Sequence, residues 1–405
     1  MILAERHIVK RNNPQFEELD KITFLAKNLY NSAIFRIRKE FFDSADKQNR
    51  VYLNGYDVNK LFVLEKQPDY FALPSKISNQ IVMLAGRSFK SFFALLKAKR
   101  NNPGITQKVN FPGYLPKDGR YVAVYTNQAI SKIALKDGFI ALSGTSIRIE
   151  TKQTKIQQVR VVPKLGYIVV EVLYKKEELA LKEDNSRYAA IDIGVNNLAT
   201  ISSNVAKPLI VNGKPLKSIN QFANKRIAQL QSRLIGGRKT SKRIEATRRI
   251  RLNKIQDYLH KASREVANYV VSNNINCLII GKNKEWKQNV NLGKRNNQNF
   301  VDIPFARFIE MTSYKLKLLG VDCVINEESY TSKCSFLDFE EIKKHKVYLG
   351  KRIKRGLFKA SSGKTINADL NGSLNILRKV VGNSVFTDYP IEVISSPLVL
   401  TIKFN

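Results

Sequence analysis

Hydrophobic positions recur at two different spacings along the chain, and the change of spacing divides the chain into regions. Over residues 16–42 and again over residues 75–99, apolar side chains recur about every 3.6 residues, which predicts two amphipathic helices. Residues 110–178 instead alternate polar and apolar positions between glycine-bearing turns, which predicts a β-rich unit. The looser alternation over residues 2–10 predicts one further strand.

The remainder of the chain, from Tyr188 onward, alternates predicted strands with predicted helices. Strands are predicted in AAIDIG, LATISS, NCLIIG and VDCVIN, and helices are predicted over residues 217–272 and in FARFIEMTSYKLKLLG. The last periodic segment, ADLNGSLNILRKV, places its leucines on one face of a helix. Residues 382–405 carry mixed signals and are predicted to form a poorly ordered tail.

The charge of the chain indicates its class of partner. The 405 residues include 69 Lys and Arg against 34 Asp and Glu, which gives a formal net charge of +35 at pH 7. Self-repulsion on this scale opposes a compact state unless a polyanion neutralises it, and nucleic acid is the first polyanion to consider. With 43% hydrophobic residues the chain can still bury real cores, which argues against wholesale disorder. An anionic membrane surface is the weaker alternative.

Other bulk features exclude several classes of protein. The three cysteines are far apart and form no CxxC pair, which excludes the usual thiolate zinc site and a secreted disulfide scaffold. No apolar run approaches the roughly 18–20 residues that a membrane span needs. The N-terminal segment MILAERHIVKRNN has no hydrophobic signal region. We therefore expect a soluble intracellular protein that does not contact a membrane.

Acidic residues stand at the ends of the predicted elements in the last region. Asp192 interrupts the apolar strand AAIDIG, and Asp369 opens the last helix. Glu327 and Glu328 follow the strand VDCVIN. Carboxylates that converge on one sheet edge repel one another unless cations lie between them, and two Mg²⁺ ions bridged by such acids can activate a water against a phosphodiester.

Each acid also has an ordinary structural alternative when it is considered alone. Asp192 could stabilise the turn before Gly194, and Asp369 could cap its helix. The pair Glu327 and Glu328 could be a solvated strand end. The case for chemistry therefore depends on the acids meeting at one place.

A further signal is a set of three segments in order, namely IDIGVNNLAT, SYTSKCSFLD and INADLNGSLNILRK. They resemble the three RuvC motif regions of the TnpB family, the RNA-guided endonucleases of insertion-sequence transposons that are related to type V CRISPR effectors. Segments nearer the N-terminus are similar to those of one TnpB subgroup: KNLYNSAIFRIRKEFF, LPSKISNQ, KSFFALLKAK and YTNQAI. The resemblance covers most of the chain.

The resemblance implies an α+β multidomain fold. A β-barrel wedge domain with an inserted helical recognition domain would precede an RNase H-like (RuvC) α/β nuclease domain with a small nucleic-acid-binding insertion. The implied boundaries are 1–12 and 110–182 for the wedge, 13–109 for the recognition domain, 187–330 and 366–381 for the nuclease domain with basic helices or a lid at 217–272, 331–365 for the insertion without zinc, and 382–405 for the tail.

The resemblance also implies partners, cofactors and site residues. A guide RNA derived from the transposon end would pair with double-stranded target DNA beside a short flanking motif that the protein reads. Asp192 matches the first catalytic, metal-binding acid and Asp369 the third. Two Mg²⁺ ions are the implied cofactors, with Mn²⁺ as the alternative ion. The expected particle is a monomeric ribonucleoprotein in the cytoplasm of a prokaryote, associated with the nucleoid.

The second acid of the family pattern is missing from its usual place. That acid ends a strand, whereas the equivalent strand here, CLIIG, ends in Gly281, which has no side chain to bind a metal. A relocated glutamate could supply the charge. We favour Glu328, with Glu327 as the alternative. Alternation along a strand turns only one of the two inward and leaves open which one it is. Glu285 is the third candidate.

The stretch between the second and third motifs also departs from the family. Many relatives carry two cysteine pairs there, whereas this chain has one Cys and one His, so no zinc site is expected. Basic residues are expected to contact phosphates in the same stretch: Lys351, Arg352, Lys354 and Arg355.

Further nucleic-acid contacts are expected in two helical regions. Thirteen basic and two acidic residues lie between Lys225 and Arg264. The named candidates there are Lys225, Arg226, Arg248, Arg249 and Arg251. The candidates in the N-terminal helices are Arg36, Arg38, Asn79 and Gln80.

The leading interpretation is an RNA-guided, Mg²⁺-dependent DNA endonuclease. Gly281 motivates the alternative of a guide-directed DNA-binding protein or repressor with impaired or absent cleavage. A DNA transposase is the third interpretation, because RNase H-like transposases also use three acids.

Overall fold

A computed structural model describes residues 1–44, 50–102, 104–283, 301–386 and 396–404. The chain folds into two compact units, Met1–Lys176 and Glu177–Asn405. None of the helices in the described ranges is long and apolar enough to cross a membrane.

The first unit contains the two long helices that the apolar spacing predicts. In chain order, its helices and strands are β1 (Ile2–Lys10), α1 (Phe16–Asp43), α2 (Gly55–Leu64), α3 (Pro68–Phe71), α4 (Ser75–Asn101), β2 (Ala123–Thr126), α5 (Lys132–Lys136), β3 (Phe139–Ala141), β4 (Arg148–Glu150), β5 (Ile156–Lys164) and β6 (Tyr167–Lys175). The helices begin and end where local chemistry dictates. At α2, for example, the Asn54 side chain accepts backbone hydrogen bonds from Tyr56 and Asp57, and the Asp57 carboxylate accepts one from the Asn54 backbone.

The β-rich part of the first unit is an open antiparallel sheet. Its strand order is β1-β6-β5-β2, and β3 pairs separately with β4. The predicted β-barrel is therefore not found in the described residues, where β1 and β2 remain the two edges of the larger sheet. The sheet does not need to close on itself, because α1 and α4 cover its apolar face. Fully buried residues such as Leu29, Ile81 and Val170 belong to one shared core.

The second unit continues the alternation of strands and helices. Its elements are β7 (Tyr188–Asp192), β8 (Asn197–Ser203), β9 (Leu209–Asn212), α6 (Lys214–Gln231), α7 (Lys242–Ser272), β10 (Cys277–Gly281), α8 (Phe305–Lys317), β11 (Asp322–Asn326), β12 (Lys351–Lys354), β13 (Leu357–Lys359), β14 (Thr365–Asn367), α9 (Ala368–Val381) and β15 (Leu398–Leu400). Short 3₁₀ turns occur at Asn127–Ala129 in the first unit and Ser384–Phe386 in the second.

A six-stranded mixed sheet organises the second unit. Its strand order is β11-β10-β7-β8-β9-β15, in which β7, β10 and β11 run parallel and β8 runs antiparallel to both of its neighbours. The three parallel strands therefore end at the same edge of the sheet. Part of the predicted tail belongs to this sheet, because Leu398–Leu400 pairs in parallel with Leu209–Val211. Residues 387–395 lie outside the described ranges.

Helices cover both faces of this sheet. Ala189 and Leu278 point into a core that they share with α7 and α8, whereas their neighbours Ala190 and Ile279 point into a core that they share with α9. Strands that are buried on both faces read as continuous apolar runs, which is why the sequence of β10 shows no alternation.

The segment before α9 is held by a buried carboxylate. Glu340 accepts backbone hydrogen bonds from Ser335 at 2.7 Å and Leu349 at 2.9 Å. The guanidinium of Arg378 on α9 donates to the backbone carbonyl of Glu340 at 2.9 Å, and the Cys334 thiol donates to the carbonyl of Glu341 at 3.4 Å. These bonds tie the loop to α9.

We predict that Glu340→Ala lowers the free energy of unfolding by about 2 kcal/mol or more, because two buried backbone donors lose their acceptor. Urea titration followed by circular dichroism measures the change. The matched control is Glu341→Ala, since the neighbouring Glu341 side chain is 69% exposed and forms only a surface ion pair with Lys343. Equal effects of the two substitutions would contradict this role of Glu340.

Candidate active site

Asp192 is the last residue of β7 and stands at the edge where the parallel strands end. Its backbone pairs with Thr200 of β8. Its carboxylate is directed toward α9, where a Cβ atom built on Gly372 would lie only 2.6 Å from the Asp192 Oδ2 atom. Gly372 therefore provides the space that allows the helix and the carboxylate to approach each other.

Asp369 lies in the first turn of α9, beside the end of the same sheet. The helix cap is Asn367, whose side chain accepts hydrogen bonds from the backbones of Asp369 and Leu370. The Asp369 carboxylate is therefore not needed as a cap. It accepts hydrogen bonds from Asn197 at 2.8 Å and from Arg352 at 3.1 Å. The positive end of the helix dipole favours a negative charge at this position.

Glu328 occupies the space beside Gly281 at the end of β10. A Cβ atom built on Gly281 would lie 2.5 Å from Glu328 Oε2 and 2.5 Å from Ile376 Cδ1. The missing side chain at the end of β10 is thus what admits the glutamate that follows β11. The Glu328 backbone N–H is held by the side chain of Asn283 at 3.2 Å.

Glu327 points away from this space. Its carboxylate forms an ion pair with Lys379 at 2.8 Å and accepts hydrogen bonds from the backbone and hydroxyl of Ser329. The hydrogen bond from Lys379 is the largest cause that lowers the pKa of Glu327 below its usual value. The structure therefore separates the two glutamates into a paired surface group and a group beside Gly281. The third candidate, Glu285, lies outside the described residues.

The carboxyl groups at this edge are poorly compensated by protein charges. Burial and then the negative charges of Glu328 and Asp369 raise the pKa of Asp192 well above its usual range, and Arg352 only partly opposes this. Burial, followed by the charge of Glu327, raises the pKa of Glu328 to about 7. The Glu328 Oε2 atom is buried and has no hydrogen-bond partner among the described residues. Such an uncompensated acid is an unstable arrangement unless a cation or a proton joins it.

These residues fit a divalent metal in their chemistry, because hard cations such as Mg²⁺ prefer carboxylate oxygens and an orphaned buried oxygen is available. They do not form a closed cage. Within the ranges that the structure describes, no group of three His, Cys, Asp or Glu residues stands close enough together to enclose a metal ion. The Asp369 oxygens face Asn197 and Arg352 instead. Asp192, Glu328 and Asp369 would hold the ion after a local movement of side chains.

The basic residues of the predicted insertion lie on an exposed hairpin. Lys351, Arg352 and Lys354 belong to β12, and Arg355 is in the turn that follows. Arg352 is more than a surface cation, because its guanidinium reaches the Asp369 carboxylate while its side chain is still 49% exposed. The sequence alone does not predict that Arg352 and Asn197 contact Asp369, although each lies in or near a recognised motif and Arg352 is expected to contact phosphates.

The basic residues on α6 and α7 differ in how strongly the protein itself engages them. Lys225 and Arg226 are exposed. Arg248 forms an ion pair with Glu245 at 2.6 Å, and Arg251 forms one with Asp302 at 3.0 Å. These pairs position the guanidinium groups on the helix surface. The contact of Arg249 and its neighbours with nucleic acid remains a prediction.

The candidates in the first unit also have protein partners. Arg36 forms ion pairs with Glu65 at 2.9 Å and with Glu40 at 3.3 Å. Asn79 accepts a hydrogen bond from the Tyr70 hydroxyl at 2.6 Å. Arg38 lies 5.3 Å from the centre of the Tyr114 ring, and Gln80 is half-buried on α4. Their role in binding nucleic acid stays a prediction.

We predict that Glu328 makes the metal-free protein less stable as the pH rises. Its pKa is about 7 in the folded protein against an ordinary 4.5, so the folded state holds a proton that the unfolded chain releases between these values. The free energy of unfolding therefore falls as pH rises from about 4.5 to about 7. In EDTA, Glu328→Gln is expected to gain stability relative to wild type between pH 5 and pH 8, by about 1–3 kcal/mol.

The matched control for this pH experiment is Glu327→Gln. The pKa of Glu327 is lowered in the folded protein, so its contribution is present above the ordinary value and is lost as the pH falls. Glu327→Gln is therefore expected to lose stability relative to wild type as the pH rises, in the opposite direction to Glu328→Gln. Urea titrations at several pH values measure both variants, and a Glu328→Gln difference that is the same at pH 5 and pH 8 would contradict the burial of this carboxylate.

Comparisons with known proteins agree with the order of the motifs. Residues 169–287 match the OrfB IS605 family, described as a probable transposase, and residues 305–376 match the Cas12f1-like TNB domain. A curated relative is the TnpB-like protein ORF457 of Acidianus two-tailed virus. It is 22% identical over 415 aligned residues, which cover 92% of this chain and 85% of the relative.

Similar solved structures include a complex of Cas12f1 with sgRNA and target DNA, at 15% identity and a TM-score of 0.38, covering 92% of this chain and 98% of that one. Another is the mini-RNA-guided endonuclease CRISPR-Cas phi3, at 11% identity and a TM-score of 0.49, covering 98% and 93%. The two family matches follow one another between residues 169 and 376, and the viral relative aligns with nearly all of the chain. Together these matches support the assignment of the chain as a member of the TnpB family.

Proposed function

We propose that the protein is an RNA-guided DNA endonuclease whose nuclease centre is Asp192, Glu328 and Asp369. The observation that carries this proposal is the position of Glu328, whose carboxylate lies in the space that Gly281 leaves at the end of β10. A glycine at this point would otherwise suggest a lost ligand. The space is filled by another acid of the same length as the one that is missing.

The proposed metal centre uses the carboxyl ends of three parallel strands. Asp192 ends β7, Gly281 ends β10 and Glu328 follows β11, so their neighbourhood is fixed by the pairing of the strands. The chemistry that two bound Mg²⁺ ions supply is activation of a water and stabilisation of the leaving oxygen of a phosphodiester. As metal ligands, Asp192 and Glu328 would have to give up their protons, so their raised pKa values would make metal binding depend on pH.

Arg352 is proposed to act on the substrate side of the centre. Its guanidinium contacts Asp369 in the present arrangement, and its half-exposed position leaves it accessible from solvent. If Asp369 held a metal ion, this guanidinium would be free to donate hydrogen bonds to a phosphate oxygen of the DNA strand. Arginine suits this role because it stays charged and presents several donors in a fixed plane.

Guide recognition is proposed to involve the basic surfaces. The family matches and the net charge of +35 support a guide RNA from the transposon end and double-stranded target DNA with a flanking motif as partners. The lysines and arginines of α6 and α7 would contact backbone phosphates, and the particle is proposed to be a monomer with one guide.

A guide-directed DNA-binding protein without cleavage is the second candidate, and Gly281 is the observation that favours it. Strand-transfer products in the same assay would instead indicate a transposase.

The test compares cleavage by the guide-loaded protein and its variants on DNA that matches the guide. Asp192→Ala and Glu328→Ala are each expected to reduce the cleavage rate by about a hundredfold or more, because even residues that only orient metal ligands change activity by about 10–100-fold. EDTA is expected to stop cleavage. Glu327→Ala is the matched control and is expected to retain most activity, since its carboxylate pairs with Lys379.

Guide-dependent DNA binding is measured in parallel on the same variants. Binding that persists while cleavage is lost supports the assignment of the acids. Wild-type protein that binds matched DNA tightly and never cuts it would establish the second candidate. Full activity of Asp192→Ala would show that the centre lies elsewhere.

A further inference from the structure

A groove with a volume of about 430 Å³ lies between α6 and α7, and none of the three acids is among its described lining residues. Among the residues that the structure describes, its lining combines apolar and basic side chains and includes no acidic one: Ser218, Ile219, Phe222, Ala223, Arg226, Thr247, Ile250, Arg251 and Lys254. A groove lined in this way is selective for ligands that present both a flat apolar surface and a negative charge.

Phe222 is the most unusual residue of the groove. It is 72% exposed, and Ile250 on the facing helix is 52% exposed. A single exposed apolar residue on a protein surface is ordinary, but these two side chains lie together on the wall of one groove. A phenylalanine in this position offers a free ring face and contributes little to the core.

The cations of the groove lie one helical turn from these apolar side chains. Arg226 follows Phe222 by four residues on α6, and Lys254 follows Ile250 by four residues on α7, so each pair shares one helix face. Neither Arg226 nor Lys254 forms an ion pair within the part of the chain that the structure describes, whereas Arg251 is paired with Asp302. Arg226 does donate a hydrogen bond to the neutral side chain of Gln229 at 2.7 Å.

We propose that this groove binds an unpaired nucleotide, with its base stacked on the Phe222 ring and its phosphate held by Arg226 and Lys254. The proposal rests on the proposed function for its choice of partner, since a guide RNA and a displaced DNA strand both contain unpaired nucleotides. A base inside a duplex has neighbours on both faces, so a stacking ring selects an unpaired base or a strand end. Base stacking on an aromatic side chain contributes about 1–3 kcal/mol and tolerates any base.

Binding in the groove would therefore combine base stacking with a phosphate contact, whereas the other basic residues of α6 and α7 would contact phosphates alone. Phosphate contacts make binding steeply dependent on salt, because each one releases a counterion from the nucleic acid. Stacking on Phe222 adds affinity without adding to that dependence. The two contributions can therefore be separated by experiment on the full chain.

The experiment uses photo-crosslinking of the full-length protein to short unstructured oligonucleotides that carry 5-iodouracil, in an RNA series and a DNA series. The crosslinked peptide is expected to contain Phe222. Phe222→Leu is expected to remove this crosslink and to weaken oligonucleotide binding about tenfold with an unchanged salt slope. Phe222→Trp is expected to retain both, and Arg226→Gln is expected to lower the slope by about 0.7.

Tyr56→Leu is the matched control, because Tyr56 is 74% exposed and belongs to the first unit. It is expected to change neither the crosslink nor the affinity. The relative yields of the RNA and DNA series show which nucleic acid supplies the nucleotide. Asp192→Ala is expected to crosslink like wild type, so that a failure of the nuclease assignment leaves this result intact.

Two outcomes would overturn the proposal. One is a Phe222→Leu variant that crosslinks and binds like wild type. The other is a Phe222→Leu variant that binds oligonucleotides normally but has lost self-association in analytical ultracentrifugation, which would assign the groove to a second copy of the chain.

Discussion

Electrostatic repulsion at the edge of the six-stranded sheet is the constraint on which the candidate site depends. Three parallel strands end side by side, and the acids at their ends lie in one poorly solvated space. The protein offsets this repulsion only in part, through Arg352, Asn197 and the N-terminal end of α9. Asp192 and Glu328 therefore keep raised pKa values, and a bound metal ion would offset the charge that they acquire on losing their protons.

Gly281 and Glu328 are best understood as one feature. A side chain at position 281 would meet the Glu328 carboxylate at 2.5 Å, so the two can occupy the end of β10 together only if the Glu328 carboxylate moves. The same steric argument links α9 to the site, since Ile376 bounds this space and Gly372 admits Asp192. Two glycines thus have specific functions in the site, and neither function requires an unusual backbone conformation.

Sequence reasoning predicted the elements better than their arrangement. The apolar spacing identifies α1, α4 and the buried strands, because burial of one face or of both faces leaves a periodic signature. It does not show whether a sheet closes, and the predicted barrel is wrong because helices cover the apolar face instead. It also missed β15, whose three residues are too short to show a period and are paired far away in sequence.

In the site, as in the fold, the sequence indicates the residues better than the contacts between them. The motif order points to Asp192 and Asp369 as site acids, and this stays a prediction, whereas strand alternation ends with β11 and does not choose between Glu327 and Glu328. In the folded chain Lys379 pairs with Glu327 and Glu328 lies beside Gly281, and no local pattern connects Lys379 with Glu327. Likewise, the pairing of Arg251 with Asp302 and of Arg352 with Asp369 depends on tertiary contacts that only the folded chain reveals.

The most direct test of whether positions 281 and 328 share one function is to move the glutamate from position 328 back to position 281. In an Ile376→Val background, which removes the Cδ1 atom that meets a side chain at position 281, the guide-loaded variants Glu328→Ala and Gly281→Glu/Glu328→Ala are compared for cleavage of matched DNA. The swapped variant is expected to cleave at least about tenfold faster than Glu328→Ala, since it restores a carboxylate for a metal ion at the same place. A swapped variant that folds and binds its target, yet cleaves no faster than Glu328→Ala, would contradict the claim that the two positions share one function.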